Sequence, residues 1–503
     1  MGLLLNLSLT MRIPAPDRLQ SKHVIVFTMA LFMGQLIEGT DFVFAVLTAV
    51  YILLWASAFN ISGGIKYPSG AFVFFNGFLN VVVGLGFKVF LGQPGERNLQ
   101  APNATMFVYC VGMAAMLCAV FVCRHLRPQH AILSGFDSVE DYKRASIICL
   151  VVGTIIMVLT AGGTSSTSFL SAVRQINKFP QLSIMLATIY EIKRSNGKRS
   201  FNWIVTTGLV FVFAAGLLSF GKEGMLLGFV AYTFAAVMHG YNFPKLQIVA
   251  GILGVAFFTY YLVPYSQYAR NYKATTVEGN IGVAIGFLGK LGETRELFHD
   301  TLDDFDINVE PHLYDKREGF IDRLIVLPAD DALVAYTNKG HVFGLSPIFA
   351  AYANVIPRFI WRNKPTVNSG NSFAHELGEI SDDDFTTGIS FSAAGEAYHQ
   401  ATWLGLLLLL PINMFLYFII SDTVVGNARV APWALVPILD LSEIGPDGGL
   451  SGVVYYFTYG ILAMLVAYWI IKVAAPFVIN SISRGKPLPL AVPAARPIGS
   501  SAS

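Results

Sequence analysis

Residues 42–59 read FVFAVLTAVYILLWASAF, a run of 18 residues without one charged side chain. A helix needs about 20 mostly apolar residues to cross the hydrocarbon core of a bilayer. A second apolar run, 24–38, comes just before it, and the two nearly touch at Gly39 and Thr40. They therefore predict two membrane-spanning helices joined as a hairpin.

The rest of the chain continues this pattern. Of its 503 residues, 54% are hydrophobic and only 13% are charged, and its mean hydropathy is +0.57. Soluble domains carry about 25% charged residues. We therefore predict an all-α polytopic membrane protein, with 1–503 forming a single integral membrane domain. The predicted spans are twelve, at roughly 24–38, 42–59, 71–91, 104–123, 145–162, 170–192, 202–220, 224–240, 245–264, 402–421, 431–444 and 451–472.

Lys and Arg in short loops predict the orientation, because they stay preferentially on the cytoplasmic side. With twelve spans, four clusters of these residues fall on one face, which we take as cytoplasmic together with both termini. The segment 265–400 is then a large extracytoplasmic loop, with 11 Lys and Arg against 19 Asp and Glu. The tail 487–503, rich in Pro, Ala and Ser, is predicted to be a disordered cytoplasmic tail. The clusters are Arg12, Arg18 and Lys22; Arg124, Arg127, Lys143 and Arg144; Lys193, Arg194, Lys198 and Arg199; and Lys472, Arg484 and Lys486.

Motifs for cofactors and metals are missing from the sequence. The four cysteines lie in or beside apolar segments without a C-x-x-C pair, so we expect neither a disulfide framework nor a metal site from them. No nucleotide-binding loop, dinucleotide fingerprint or serine-nucleophile elbow is present. Any bond-forming reaction would therefore use an activated substrate already in the membrane, and we expect no cofactor and no nucleic-acid partner. The cysteines are Cys110, Cys118, Cys123 and Cys149.

A cationic turn lies late in the predicted outer loop. Residues 354–365 read NVIPRFIWRNKP and place Arg358, Arg362 and Lys364 among aromatic rings and prolines. A guanidinium presents a planar pair of donors that suits bidentate contact with a phosphate. We therefore favour Arg358 as a contact for a lipid-linked phosphate or pyrophosphate over the alternative, a juxtamembrane anchor.

Three further cations are candidates for the same ligand. Lys222 lies in the turn GKEG at 221–224, where glycines would let backbone amides approach an anion. A solvated turn with a local ion pair explains this turn equally well. Arg270 follows a run of tyrosines and could hold a phosphate, although interfacial anchoring is the favoured alternative. Arg174, which interrupts the predicted span 170–192, is the third.

Two candidate bases precede the tenth predicted span. The stretch 390–399 reads SFSAAGEAYH, and its Glu396 and His399 are three residues apart, on one helix face. Either could accept a proton from a sugar hydroxyl as a general base. The alternative for Glu396 is a helix-start carboxylate that faces the positive end of the helix dipole.

Taken together, these features resemble the bacterial oligosaccharide repeat-unit polymerases of the Wzy type and the related O-antigen ligases. The resemblance rests on many spans with one large late outer loop and on the turn at 221–224. It also rests on the string PRFIWRNKP at 357–365 and on GEAY at 395–398. It covers most of 140–470.

This resemblance implies a GT-C-like glycosyltransferase of the bacterial inner (cytoplasmic) membrane. Such an enzyme joins undecaprenyl-pyrophosphate-linked repeat units at the outer leaflet to build O-antigen, capsule or exopolysaccharide. It uses no nucleotide sugar and no obligatory metal, and its candidate partners are a flippase and a chain-length regulator. The site residues implied are Glu396 and His399 as catalytic bases, with Arg358, Arg270, Lys222 and Arg174 binding pyrophosphate.

Three alternatives stay open. An O-antigen ligase would move a finished glycan to a lipid core or to a protein. A polysaccharide carrier or flippase would usually show internal repeats and charges deep in the bundle, whereas here the charges cluster at the predicted outer ends. A non-catalytic scaffold would leave polymer synthesis intact after Arg358→Ala.

Overall fold

The structure, a computed structural model, describes residues 10–160, 169–274, 276–303, 312–315, 325–365, 368–385 and 387–483. These residues are mostly helical, as predicted. The strands in this part of the chain are β1 (Thr10–Arg12) and β2 (Asn242–Pro244), which pair antiparallel with Met11 opposite Phe243. The predicted disordered tail, 487–503, lies outside the described residues.

In the described part of the chain, the α-helices range from 7 residues, which is about two turns, to 35 residues, and π-helical turns join three pairs of them. The π-helical turns are Phe78–Val83, Phe258–Leu262 and Gly405–Leu409, and the 3₁₀ turns are Arg270–Tyr272 and Pro432–Ala434. The α-helices are α1 Ser21–Ile37, α2 Phe42–Ser62, α3 Pro68–Gly77, α4 Gly84–Phe90, α5 Pro102–Leu126, α6 Val139–Thr160, α7 Phe169–Gln175, α8 Phe179–Arg194, α9 Trp203–Ser219, α10 Lys222–Met238, α11 Lys245–Phe257, α12 Val263–Ala269, α13 Val277–Leu288, α14 Leu291–Asp303, α15 Leu327–Asn338, α16 Ser346–Ala353, α17 Ser369–Leu377, α18 Ala393–Leu404, α19 Leu410–Val424, α20 Leu435–Asp447 and α21 Gly449–Ser483.

Among the described residues, seven helical stretches are long and apolar enough to cross a membrane. They confirm a multi-pass, all-α membrane protein, while the count of twelve spans and the sidedness of 265–400 remain predictions. Four shorter apolar helices, at Ser21–Ile37, Trp203–Ser219, Val277–Leu288 and Pro432–Ser442, accompany them. The seven stretches are Phe42–Ser62, Pro68–Phe90, Pro102–Leu126, Val139–Thr160, Lys245–Tyr272, Ala393–Val424 and Gly449–Ala474.

The predicted span 170–192 is not one helix. It divides into α7 and α8, and Pro180 lies in the first turn of α8. Proline lacks a backbone N–H, so it suits a first turn and interrupts a helix interior. Almost every residue of α8 up to Ile192 is buried. This helix therefore packs inside the protein instead of facing lipid.

The predicted span 431–444 is also an internal element. Every residue from Pro432 to Leu441 is buried. The indole Nε1 of Trp433 donates to the carbonyl of Ser134 at 2.8 Å. Helix α20 packs against α3, α8 and α21, and its buried Asp440 pairs with Lys178 at 2.9 Å.

Helix α5 separates two clusters of polar contacts. Beyond its C-terminal end, Arg127 Nη1 donates to Asp422 Oδ2 at 3.0 Å. Near its N-terminal end, Thr105 Oγ1 donates to Asp331 Oδ1 at 2.7 Å, and the N–H of Ala101 donates to the same oxygen at 3.2 Å. Arg127, one of the predicted cytoplasmic cations, and the helix α15 that carries Asp331 therefore lie at opposite ends of α5.

The described parts of the segment 265–400 are largely helical and partly embedded in the bundle. Helices α13 and α16 cover much of two apolar stretches of this segment, 281–291 and 342–356. Helix α15 is largely buried and packs on α5 and α18. The predicted outer loop thus contributes to the core and helps to position α18.

Helix α18 has a kink. Within it, Thr402 has φ +51° and ψ −132°, far from helical values. An added Cβ at Gly405 would lie 1.8 Å from the carbonyl oxygen of Ala397, so the chain can pass this closely only with glycine there. The kink separates a buried polar half, which carries Glu396 and His399, from the apolar helix that follows.

Candidate functional site

A cavity of about 450 Å³ lies where the N-terminal ends of α17 and α21 meet the first turn of α18 and the end of α16. Hydroxyl and amide groups surround a single carboxylate in it, and glycine backbones complete the wall. Such a lining suits a ligand rich in hydroxyl groups. The polar side chains include Asn354, Asn368, Ser369, Glu396, Ser451 and Tyr455, and the glycines are Gly370, Gly388, Gly448, Gly449 and Gly452.

The carboxylate is that of Glu396, in the first turn of α18. Helix α18 begins after Ser392, whose Oγ accepts from the N–H of Gly395 at 3.1 Å and so caps the helix. Glu396 is buried. Its Oε1 accepts from Gln400 Nε2 at 2.8 Å and from the hydroxyl of Ser451, and its Oε2 accepts from the N–H of Ser451 at 3.3 Å. The side chain therefore faces α21 and the cavity, and it touches the positive end of the helix dipole of α21.

Gly449 makes this close approach possible. It has φ +61°, and an added Cβ would lie 2.0 Å from Glu396 Oε2. Glycine tolerates this left-handed backbone, and any side chain would displace the carboxylate. The N-terminus of α21 is thus built around Glu396.

The hydroxyls at the cavity wall are connected to one another. Ser369 Oγ and Ser451 Oγ lie 3.0 Å apart, within hydrogen-bonding distance. This contact joins the first residue of α17 to the first turn of α21. Two helix N-termini, with their exposed N–H groups, therefore border the same space.

One cation, Lys364, contacts the cavity residue Asn354, and a second, Arg358, lies near Lys364. Lys364 Nζ donates to the carbonyl of Asn354 at 3.2 Å and to that of Ile356 at 2.8 Å. Lys364 is buried, and this burial, together with the nearby charge of Arg358, lowers its pKa. Within the described residues, no carboxylate pairs with Lys364 or Arg358. Two neighbouring cations without a counter-ion are a natural position for an anionic ligand.

Arg174 lies on a helix beside this cationic turn. The ring of Phe169, at the start of α7, contacts the ring of Phe359 with 5.6 Å between centroids. Arg174 is exposed near the end of that helix. The structure therefore places the start of α7 against the residue that follows Arg358, while Arg174 itself does not line the cavity.

His399 does not line the cavity. It is buried, with Nδ1 2.9 Å from Thr337 Oγ1 and Nε2 3.0 Å from Glu376 Oε2. Its ring packs edge-on against Phe373. The two predicted bases thus lie on the same short helix but have separate surroundings, Glu396 towards α21 and His399 towards α15 and α17.

Lys222 and Arg270 belong to a different part of the molecule. Ser266 Oγ donates to the carbonyl of Phe220 at 2.7 Å, and Tyr265 packs against the ring of Phe220. These contacts bring the turn with Lys222 close to the segment that ends at Arg270. Neither residue lines the cavity around Glu396.

The sequence analysis missed two acidic residues that support the site. Asp330 accepts from Tyr109 Oη at 2.6 Å and from the N–H of Ser392 at 3.1 Å. Burial raises the pKa of Asp330 to about 6 and also raises the pKa of Asp331. Asp330 holds the residue that caps α18, four positions before Glu396, while Asp331 holds α5. In the sequence, two adjacent acidic residues within the mostly apolar α15 could have indicated this supporting role.

Within the described residues, no group of three or more His, Cys, Asp or Glu side chains could hold a metal ion. All four cysteines lie in this part of the chain and are unbridged. The site is therefore best described through its hydroxyl, amide, carboxylate and cationic groups.

The fold defines a multi-pass helical membrane protein with a polar cavity. No protein-family model, no curated protein and no solved structure matches the chain.

Proposed function

We propose that the protein is a membrane-embedded glycosyltransferase that polymerises undecaprenyl-pyrophosphate-linked oligosaccharide repeat units at the outer leaflet of the bacterial inner membrane. Its product is a surface polysaccharide, such as O-antigen, capsule or exopolysaccharide. The observation that carries the proposal is the cavity in which Glu396 is surrounded by hydroxyl and amide groups. Lys364, which has no carboxylate partner among the described residues, contacts the cavity residue Asn354, and Arg358 lies near Lys364.

The carboxylate supplies the base. A sugar hydroxyl is a poor nucleophile, and a positioned base that takes its proton speeds the attack by about 10²–10⁴-fold. Glu396 lies in the cavity wall and is held by Gln400 and Ser451. In the proposed reaction its carboxylate takes the proton of the acceptor hydroxyl, and the acceptor oxygen forms a bond to the anomeric carbon of the donor glycan.

The cations supply the stabilisation of the leaving group. As the new bond forms, the bond between the anomeric carbon and the pyrophosphate oxygen breaks, and undecaprenyl pyrophosphate leaves with the electron pair. Fixed positive groups lower the energy of this developing charge. Arg358 is the principal candidate, because its fork of donors suits a phosphate. Lys364 lies beside it, and Arg174 lies on the helix that contacts the same turn.

The contacts of Arg127 and Asp331 support the proposed orientation. The predicted cytoplasmic cation Arg127 lies beyond the C-terminal end of α5, while Asp331 contacts residues at its N-terminal end. In the proposed topology, the cavity belongs to the outer end of the bundle, where the lipid-linked repeat units are exposed.

The test is a reconstitution. The protein in liposomes is supplied with a chemically defined undecaprenyl-pyrophosphate-linked repeat unit, and the products are separated by length. A ladder of longer lipid-linked glycans, with release of undecaprenyl pyrophosphate, is the expected result. Transfer of an intact glycan to a different acceptor without lengthening would identify a ligase instead. The repeat units supplied include the one made by a host strain that depends on this protein for its polymer. If neither product forms with any of them, the proposal is wrong.

A further inference from the structure

A second cavity, of about 340 Å³, opens far along the chain from the candidate site, between α1, α2 and the π-helical turn Phe78–Val83. Its floor consists of Ile52, Trp55 and Val82, which are almost fully buried. Phe27 forms an exposed wall, and Arg18 and His23 lie at its polar end. The groove is thus apolar along most of its length and cationic at one end.

The cationic end is held in place by the rest of the fold. The side chain of Asn60 accepts from the N–H of Leu19 at 2.7 Å and donates to its carbonyl at 3.0 Å. Asp17, the acid next to Arg18, pairs instead with Arg429 at 2.7 Å and with Lys66 at 3.4 Å. The segment before α1 is therefore fixed, and its nearest carboxylate is already neutralised.

The guanidinium of Arg18 at this end lacks a counter-ion within the described residues. Neither the Arg18 side chain nor the His23 side chain bonds to any residue that the structure describes. Helix α1 begins here without a side-chain cap and without an acidic residue in its first turn. Its positive dipole end adds to the charge of Arg18, so the mouth of the groove attracts an anion.

We propose that this groove binds an anionic phospholipid, with its phosphate at Arg18, His23 and the start of α1 and one acyl chain against Trp55 and Phe27. The charge pattern supports this occupant, because an apolar channel that opens to a fixed cationic end matches both parts of such a lipid. The site is independent of the proposed transfer reaction, since none of its residues lines the cavity around Glu396.

Trp55 provides a direct probe. The full-length protein is placed in nanodiscs of phosphatidylcholine. These contain a minor fraction of a lipid with brominated chains, which quench indole fluorescence, and this lipid is either phosphatidylglycerol or phosphatidylcholine. The fluorescence of Trp55 is obtained as the difference between the fluorescence of the parent and that of Trp55→Phe. We expect brominated phosphatidylglycerol to quench Trp55 at several-fold lower mole fraction than brominated phosphatidylcholine.

Three variants define the recognition. A cation near a membrane surface strengthens the binding of an anionic lipid about fivefold, so Arg18→Gln should cost about that factor. Val24 lines the groove, so Val24→Phe should fill it and abolish preferential quenching although the charge of Arg18 remains. Arg124→Gln removes an exposed cation from the last turn of α5, away from the groove, and should change nothing. Native mass spectrometry of retained phosphatidylglycerol gives a second readout if Trp55→Phe is unstable.

Three results would overturn the proposal. Equal quenching by the two lipids would mean that the head group is not recognised. Retention of phosphatidylglycerol by Val24→Phe at the level of the parent would mean that the lipid binds elsewhere. Quenching relieved by undecaprenyl phosphate but not by phosphatidylglycerol would assign the groove to the polyprenyl tail of a substrate.

Discussion

Ser451 donates two hydrogen bonds to Glu396, one from its hydroxyl and one from its backbone N–H, across 55 positions of sequence. The bonds tie the first turn of α18 to the first turn of α21 and fix a carboxylate at the wall of a polar cavity. A carboxylate at a helix N-terminus is a common stabilising arrangement. Its position in the cavity is what makes Glu396 a candidate for chemistry as well.

Gly449→Ala should disrupt this arrangement. The added Cβ would lie 2.0 Å from Glu396 Oε2, on a residue with φ +61°. We expect a lower unfolding temperature and a loss of transfer of at least tenfold. Gly452→Ala is the matched control, because it lies in the same helix and cavity wall and its added Cβ would meet no atom within 4 Å. Equal behaviour of the two variants would contradict the geometry at Gly449.

Asp330 should make stability depend on pH. Burial raises its pKa from 3.8 to about 6, so the folded protein holds this proton more tightly than the unfolded chain does. Its contribution is therefore fully present below pH 4 and is lost as the pH rises through 6, by an amount of about 3 kcal/mol. The free energy of unfolding in detergent, measured from pH 4 to 7, should fall more steeply for the parent than for Asp330→Asn.

The matched comparison is Asp331→Asn, because the pKa of Asp331 is raised in the same direction. Asp330 still titrates in Asp331→Asn, so the fall in the free energy of unfolding with pH that is due to Asp330 should remain in that variant. Parallel curves for the parent and Asp330→Asn would show that the carboxylate is ionised in the folded protein throughout this range, contrary to our account.

Arg358→Lys should restore little of the activity that Arg358→Ala loses. Lysine keeps the charge but lacks the planar fork that contacts two phosphate oxygens. Removal of one transition-state donor costs about 10²–10³ in rate, which is the loss that we expect for Arg358→Ala in the reconstituted assay. Arg362→Ala, an exposed cation of the same turn, should stay close to the parent. Full activity of Arg358→Lys would reduce Arg358 to a membrane anchor.

Thr402→Gly should stabilise the kink of α18. A β-branched residue at φ +51° costs about 1–3 kcal/mol, and glycine removes this strain. The control is Thr206→Gly, at an exposed position inside regular helix α9, which should instead lose about 0.3 kcal/mol, the difference between the helix propensities of threonine and glycine. Thermal unfolding of both variants gives the comparison, and destabilisation by Thr402→Gly would show that the strain is absent.

The apolar runs predicted much of the helical fold. Long uncharged stretches such as 42–59 became spanning helices, because only a helix satisfies its backbone within lipid. The sequence was less informative where protein replaces lipid around an apolar helix. Helices α8 and α20 are surrounded by the protein itself, and hydropathy does not distinguish the two environments. Pro180 was the signal that a break occurs within the predicted span 170–192.

The candidate site was only partly visible in the sequence. The sequence indicated Glu396 and Arg358 as candidates, because a charged side chain beside a membrane span is costly unless it is paired or has a function. Their surroundings come from segments far along the chain: Ser451 for Glu396, and Asp330 for the helix that carries it. Such long-range contacts depend on tertiary packing, so spacing could not reveal them. Spacing also predicted a shared face for Glu396 and His399, whose neighbours differ completely.

The most direct test of the central claim is the rate of glycan extension by Glu396→Gln in the reconstituted system. Glutamine keeps the size of the side chain and can still accept from Ser451, so the fold should persist. Unfolding temperature and binding of the lipid-linked donor serve as controls and should stay near those of the parent. We predict a loss of extension of about 10²–10⁴-fold, the usual contribution of a general base. Extension at the rate of the parent, with lower stability alone, would show that Glu396 only caps α21 and would contradict its role as the base.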